Sequence, residues 1–130
     1  MKEKNEFLLV GMIGALGVVL GAFGAHFLKN NLTESSLAIY KTGVQYHFYH
    51  SLAMLGVMAL GNRIKARNRK FSIIFFAVGI LCFSGSLYVL ATASLIGWNP
   101  SLIAGPLTPI GGLFFIVGWM LLAFGYVESH

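Results

Sequence analysis

Four long runs of apolar residues make up most of this chain. They cover approximately residues 7–28, 44–61, 71–96 and 106–127, and all nine Lys and Arg residues lie outside them. About 20 mostly apolar residues in a helix cross the roughly 30 Å hydrocarbon core of a bilayer. Because a backbone in lipid must satisfy its own hydrogen bonds, such runs form helices. The sequence therefore predicts an all-α integral membrane four-helix bundle, with one transmembrane domain over residues 1–130.

The few charged residues are unevenly placed along the chain. Charged residues make up 10% of the sequence, whereas soluble domains carry about 25%. The net charge of +5 does not indicate a nucleic-acid partner, because five of the nine basic residues fall in one loop, residues 62–70. A basic loop between two spans is typical of the cytoplasmic side, where it faces anionic lipid headgroups. The five residues are Arg63, Lys65, Arg67, Arg69 and Lys70.

The same charges predict the orientation of the chain. With four spans, both termini and the 62–70 loop lie on one side, which also carries Lys2 and Lys4. The other side carries only Lys29 and Lys41. Positive residues accumulate on the cytoplasmic side, so we expect a multi-pass protein of the cell membrane with both termini in the cytoplasm. The first apolar run is too long for a signal-peptide core of about 7–15 residues, so we expect it to be retained.

The segments that flank the second and fourth spans carry helix-start signals. Thr33 is a favourable N-cap and Glu34 suits a first helical turn. They predict a short amphipathic interfacial helix between the first and second spans, which could continue directly into the second. Pro106 and Pro109 are expected at the start of the fourth helix, because a proline is tolerated in a first turn.

Two groups of glycines are candidate helix-packing sites. Gly14, Gly17, Gly21 and Gly24 lie along one stripe of the first span, and Gly111 and Gly112 lie in the fourth. Small residues let two helices approach closely in lipid, where packing drives association. We expect the first stripe to contact a helix of the same bundle, and the alternative is a second copy of the chain.

The spans contain no Asp, Glu, Lys or Arg, so histidines are their main titratable groups. Coupled pumps and carriers usually depend on intramembrane charges, so their absence argues against such a function. His26, His47 and His50 are expected near one membrane boundary. They could form hydrogen bonds between helices, bind Zn²⁺, Cu²⁺ or haem iron, or handle protons.

Hydroxyl groups recur along the third span at helical spacing. Ser84, Tyr88 and Thr92 are four residues apart and share one face. They could line a narrow polar path, or they could bond to carbonyls and to neighbouring helices. No nucleophile elbow, metalloprotease motif, CxxC pair or nucleotide-binding glycine loop occurs. The sequence therefore favours a protein that is not an enzyme and has no cofactor.

Four local patterns together resemble a known family. They are GAFGAH at 21–26, YHFYHSLA at 46–53, FSGSLY at 83–88, and GPLTPIGG at 105–112 with Gly118-Trp119 downstream. Over nearly the whole chain they are similar to domain of unknown function 423, the UPF0382 membrane proteins, with transmembrane protein 256 as the animal relative. The resemblance implies a small multi-pass membrane protein and supplies no activity, substrate or catalytic residue.

The resemblance also has departures. The family pattern around the second span is similar to Tyr-Gln-x-Tyr-His, so His50 matches it and His47 stands where Gln is common. The longer loop with Trp98-Asn99-Pro100 also looks unlike that of shorter family members. From these motifs we expect one outward-facing polar cluster packed against the glycine stripe. Its members are His26, His50, Ser84, Ser86, Tyr88 and Thr108.

The function that the sequence favours is a non-catalytic structural or accessory component of a membrane assembly. The alternatives are an oligomeric channel or carrier for a small neutral solute, and a histidine-based metal or haem protein. The partners expected are the lipid bilayer and either another membrane protein or further copies of the chain. Nucleic acid is not expected.

Overall fold

Four long helices follow one another in a computed structural model that describes residues 2–128. We number them α1 (Glu3–Asn31), α2 (Glu34–Leu60), α3 (Ala66–Ile96) and α4 (Ser101–Gly125). Consecutive helices run antiparallel and are joined by short connections at 32–33, 61–65 and 97–100. The described residues contain no strand, although one isolated antiparallel bridge joins Ile64 to Tyr126. The predicted all-α, four-helix fold is confirmed.

Three of the four helices, α1, α3 and α4, are long and apolar enough to cross a membrane. The helix α2 has 27 residues, which is also sufficient length. Its mean hydropathy is lowered by Gln45, His47 and His50. Both histidines are buried against the other helices, while apolar side chains such as Leu52 are exposed on its outer face. A span over 44–61 therefore stays a prediction for α2.

The interfacial segment and the second span form one continuous helix. The Oγ1 atom of Thr33 accepts a hydrogen bond of 3.2 Å from the Ser36 N–H, which confirms Thr33 as the N-cap of α2. No break separates the tyrosine-rich first half of α2 from its apolar second half. The expected interfacial helix is therefore the first part of α2, because its helical spacing of apolar residues continues into the span.

Two helices contain wider turns, and α4 contains two prolines. Wide π-type turns occur at Gly24–Leu28 in α1 and at Ile80–Ser84 in α3. The helix α4 begins at Ser101, five residues earlier than expected, so Pro106 and Pro109 lie inside it. Their missing N–H groups leave the carbonyls of Leu102 and Gly105 without their usual helical donors. The early start corrects the expectation that these prolines open the helix.

The interior is divided into two apolar clusters. The larger cluster lies towards the end where α2 finishes and α3 begins, and a smaller one lies at the opposite end around Leu28, Tyr40 and Ala91. The most extensive contact is between α3 and α4, whereas α1 packs mainly on α2. The larger cluster consists of Val10, Met54, Val57, Met58, Ile64, Ile73, Phe76, Ile80 and Phe115.

Hydrogen bonds and an ion pair hold the start of α1 and the end of α4 at one end of the bundle. Glu6 is buried at the start of α1 and forms an ion pair with Arg69 at the start of α3. The Lys65 N–H donates to the Gly125 carbonyl, and the Val127 N–H donates to the Arg63 carbonyl, both at 2.8 Å. We call this the basic end. Its positive side chains are Lys2, Lys4, Arg63, Lys65, Arg67, Arg69 and Lys70.

The neighbouring glycines of α4 allow a matched test of close packing against α3. A Cβ atom on Gly111 would lie 2.7 Å from Cβ and 2.8 Å from Cα of Phe83, whereas one on Gly112 would lie 3.9 Å from Phe83 Cδ2. We expect Gly111→Ala to lower the free energy of unfolding by about 1–3 kcal/mol, because the backbone of α3 must move. Gly112→Ala should leave it unchanged or raise it. Unfolding in a mild detergent measures both, and equal effects would contradict this packing.

Candidate functional site: the buried polar side chains

Besides Glu6 of α1, six polar side chains are buried inside the bundle, and α2 and α3 supply these six. Polar groups without access to water need hydrogen-bond partners. The partners therefore decide whether these groups are free for chemistry or occupied in packing. We call them the buried polar set: His47, His50 and Ser51 from α2, and Ser72, Ser84 and Ser86 from α3.

His47 joins three helices through its two ring nitrogens. Its Nε2 lies 2.7 Å from the Ile13 carbonyl oxygen in α1, and its Nδ1 lies 2.9 Å from the Tyr88 hydroxyl in α3. A carbonyl oxygen can only accept, so Nε2 carries the proton and donates it. In the neutral ring Nδ1 then accepts from the Tyr88 hydroxyl. The imidazole thus has no free nitrogen for a metal or a substrate.

The glycine stripe of α1 is the surface on which α2 lies. A Cβ atom on Gly17 would be 3.2 Å from the His47 ring, and one on Gly24 would be 2.5 Å from Cε1 of the Tyr40 ring. The Tyr40 hydroxyl donates a hydrogen bond of 2.6 Å to the Leu20 carbonyl. Gly21 faces Val44 in the same row. These three glycines therefore serve a contact within the chain.

Gly14 differs from the other three glycines of the expected stripe. A Cβ atom built on Gly14 would meet nothing within 4 Å, and the same is true of Gly11. Both glycines line an outward-facing groove between α1 and α2. The stripe therefore has two parts. Gly17, Gly21 and Gly24 face α2, whereas Gly11 and Gly14, nearer the start of α1, face outward.

His50 lies in an aromatic cluster between α2, α3 and α4. Its Nδ1 lies 2.8 Å from the Tyr46 carbonyl oxygen, and its Nε2 accepts from the Trp119 indole N–H at 3.2 Å. The imidazole stacks on the Phe115 ring at 3.5 Å between centroids and 7° between planes. Both nitrogens of His50 are therefore occupied by groups of the protein.

Gly79 of α3 makes room for this stack. A Cβ atom there would be 2.6 Å from Phe115 Cε1. The glycine thus lets the Phe115 ring of α4 reach across α3 to the imidazole of α2. Close packing and the hydrogen bond from Trp119 act on the same histidine.

Ser86 and Thr108 connect α3 to α4 near the prolines of α4. Their hydroxyl oxygens are 2.6 Å apart, and the Ser86 hydroxyl also donates a hydrogen bond of 2.8 Å to the Phe83 carbonyl of the same helix. The Thr108 hydroxyl lies 3.3 Å from the Ala104 carbonyl. A serine–threonine pair with carbonyls on both sides is typical of interhelical contacts in lipid.

The expected single polar cluster is replaced by separate contacts. Tyr88 is bonded to His47, His50 to Trp119, and Ser86 to Thr108. His26 is exposed on α1, where its carbonyl accepts from the Asn30 side chain. The hydroxyl of Ser84 is fully buried and has no hydrogen-bond partner. Four of the six residues thus bond in separate pairs and two have no partner on another helix, so the six residues do not converge.

The alternatives based on metal binding and on a polar path find little support in the geometry. Within residues 2–128, no group of three or more His, Cys, Asp or Glu side chains could hold a metal ion. An outward-facing groove with a volume of about 440 Å³ lies between α3 and α4. Its lining is mainly apolar, with Leu81, Val89 and Leu107 among its residues, and the hydroxyl stripe of Ser84, Tyr88 and Thr92 is directed elsewhere.

Sequence reasoning missed the roles of Tyr40 and Trp119 as helix partners. An aromatic side chain with one polar group suits both a membrane boundary and a hydrogen-bonded interior. The signal for Tyr40 was its spacing with Leu37, Val44 and His47, which marks the face of α2 that meets α1. Trp119 carries no comparable signal.

A double-mutant cycle tests the bridge between His47 and Tyr88. We expect His47→Leu and Tyr88→Phe each to lower the free energy of unfolding. Their coupling should be about 0.6–1.7 kcal/mol, the range for hydrogen bonds between helices in membranes. The control is Tyr49→Phe, since Tyr49 is exposed. Thermal unfolding in mild detergent provides the values, and additive effects of His47→Leu and Tyr88→Phe would show that the bond contributes nothing.

Two serines of α3 provide a second matched test. Ser84→Ala removes a buried hydroxyl that has no partner, so we expect unchanged or slightly higher stability. Ser86→Ala removes the partner of Thr108 and should lower the free energy of unfolding by about 1 kcal/mol. The same unfolding assay distinguishes them. A larger loss for Ser84→Ala than for Ser86→Ala would mean that Ser84 has a partner.

Known proteins similar to this chain are membrane proteins. A protein of Haemophilus influenzae named UPF0382 membrane protein is 40% identical over 129 residues, covering 97% of each chain. The UPF0382 membrane protein YwdK of Bacillus subtilis is 38% identical and covers 94% of this chain and 96% of its own. The UPF0382 inner membrane protein YgdD of Escherichia coli is 35% identical and covers 98% and 93%.

The family profile gives the same result. The family described as "Protein of unknown function (DUF423)" matches residues 20–112, which is more than half of the chain. No solved structure matches. None of these relatives is named for a catalytic role. The matches confirm the family resemblance predicted from the four sequence motifs. The chain belongs to the DUF423 family of UPF0382 membrane proteins, whose function is unknown.

Proposed function

We propose that this protein is a non-catalytic structural or accessory component of a membrane assembly. The observation that carries the proposal is the use of the interior polar groups. All four ring nitrogens of the two buried histidines are hydrogen-bonded within the bundle. General acid–base catalysis needs a group that can reach a substrate and exchange a proton with it. An interior organised for packing favours a scaffold over an enzyme.

The groove between α1 and α2 is the surface where we place the partner. Gly11 and Gly14 are open on this face, with Val18, Phe48 and Leu52 beside them. Small residues on a lipid-facing helix permit close approach of another helix. A second membrane protein therefore fits here by the same packing that joins α1 to α2 at Gly17.

The test is purification of the tagged full chain from its native membrane in mild detergent, followed by mass spectrometry. We expect a partner in fixed stoichiometry, and we expect Gly14→Ile to remove it. The control is Gly105→Ile on α4, because a Cβ atom at Gly105 also meets nothing within 4 Å. Recovery of the protein alone would overturn the proposal. Recovery of a dimer of this chain would replace the other membrane protein by a second copy.

We also propose that both termini are cytoplasmic. The basic end carries seven of the Lys and Arg residues, and the opposite end carries Lys29 and Lys41. This imbalance supports the orientation through the positive-inside rule.

Fusion reporters test this orientation. A fluorescent protein that folds only in the cytoplasm should be bright at the C-terminus, whereas alkaline phosphatase should be active when inserted in the 97–100 loop. We expect neutralising Arg63, Lys65, Arg67 and Lys70 together to weaken this preference, because the charge difference between the two ends becomes small. The opposite reporter pattern in the unmodified chain would invert the orientation.

A further inference from the structure

At the basic end the positive side chains outnumber the nearby carboxylates. Its seven positive side chains stand beside Glu3, Glu6 and Glu128. Glu6 and Arg69 form the one ion pair within residues 2–128. The exposed positive side chains are Lys2, Lys4, Arg63, Lys65, Arg67 and Lys70.

The backbone that carries Arg63 and Lys65 is held in place. Ile64 between them is buried and forms the bridge to Tyr126. Hydrogen bonds of 2.8 Å join the Arg63 carbonyl and the Lys65 N–H to the chain around the end of α4. Arg63 and Lys65, on either side of the buried Ile64, are both exposed. This short connection therefore presents two positive side chains at the surface from a backbone that is held against the end of α4.

Arg67 and Lys70 continue this charged surface onto the first turns of α3. They are three residues apart and share a face of the helix. The first turn of α3 contains no acidic residue. Phe71, the next residue after Lys70, is exposed and begins the apolar part of the helix. The charges thus lie at the level where the chain passes from water into hydrocarbon.

We propose that Arg63, Lys65, Arg67 and Lys70 form a binding surface for the phosphate group of an anionic phospholipid. The two parts of such a lipid match the two parts of the surface. Its phosphate pairs with the exposed positive side chains, and its acyl chains lie along the apolar side chains that begin at Phe71. A soluble polyanion would contact the charges alone. Each Lys or Arg near an anionic membrane surface strengthens binding about fivefold.

Native mass spectrometry of the full chain tests the proposal. The protein in mild detergent is mixed with equal amounts of phosphatidylglycerol and phosphatidylcholine, and retained lipid is counted. We expect a clear preference for phosphatidylglycerol. The double variant Arg67→Gln/Lys70→Gln should lower that preference by about fivefold for each charge removed. The control variant Lys29→Gln/Lys41→Gln removes two exposed charges from the opposite end and should leave the preference unchanged.

Three further measurements separate the outcomes. Arg67→Lys/Lys70→Arg keeps both charges and should keep the preference, and an unchanged thermal midpoint of the Gln variant should show that it is folded. Inorganic phosphate at the lipid concentration should not displace the lipid. Equal retention of the two lipids, an equal loss in both Gln variants, or displacement by free phosphate would each overturn the proposal.

Discussion

The two hydrogen bonds of His47 are the interaction on which the arrangement of helices depends most. One imidazole on α2 bonds to the backbone of α1 and to Tyr88 of α3. Hydrocarbon offers no water to replace either bond, so separating the helices leaves polar groups without partners. The same constraint acts on His50 and Trp119 at the contact with α4. The two buried histidines of α2 thus connect it to all three other helices.

Close approach of the backbones makes these bonds geometrically accessible. Gly17 leaves space for the His47 ring, and Gly79 leaves space for the Phe115 ring that stacks on His50. Lipid is as apolar as the side chains it surrounds, so helices gain little by leaving it and must gain by packing. Glycine and histidine therefore act together, because the small residue admits the ring and the ring provides the directional bond.

The polar side chains of the interior and those of the surface have different roles. Inside the bundle the histidines and the Ser86–Thr108 pair serve contacts between helices. At the basic end Arg69 is paired with Glu6, while Arg63, Lys65, Arg67 and Lys70 remain exposed. The surface rather than the interior is thus available for interactions, as we propose for lipid headgroups at the basic end and for another helix at the groove of Gly11 and Gly14.

The sequence by itself determined the helices and their order, because the length of each apolar run and the position of each charge are set locally. It also determined the candidate packing residues, since small residues at helical spacing mark a face. It could not determine that Thr108 meets Ser86, that Trp119 meets His50, or that His26 stands apart. These pairings depend on the rotation and depth of each helix, which are decided only when all four pack together. For the same reason Gly17 and Gly14, which look alike in the sequence, differ in the structure, where one faces α2 and the other faces outward.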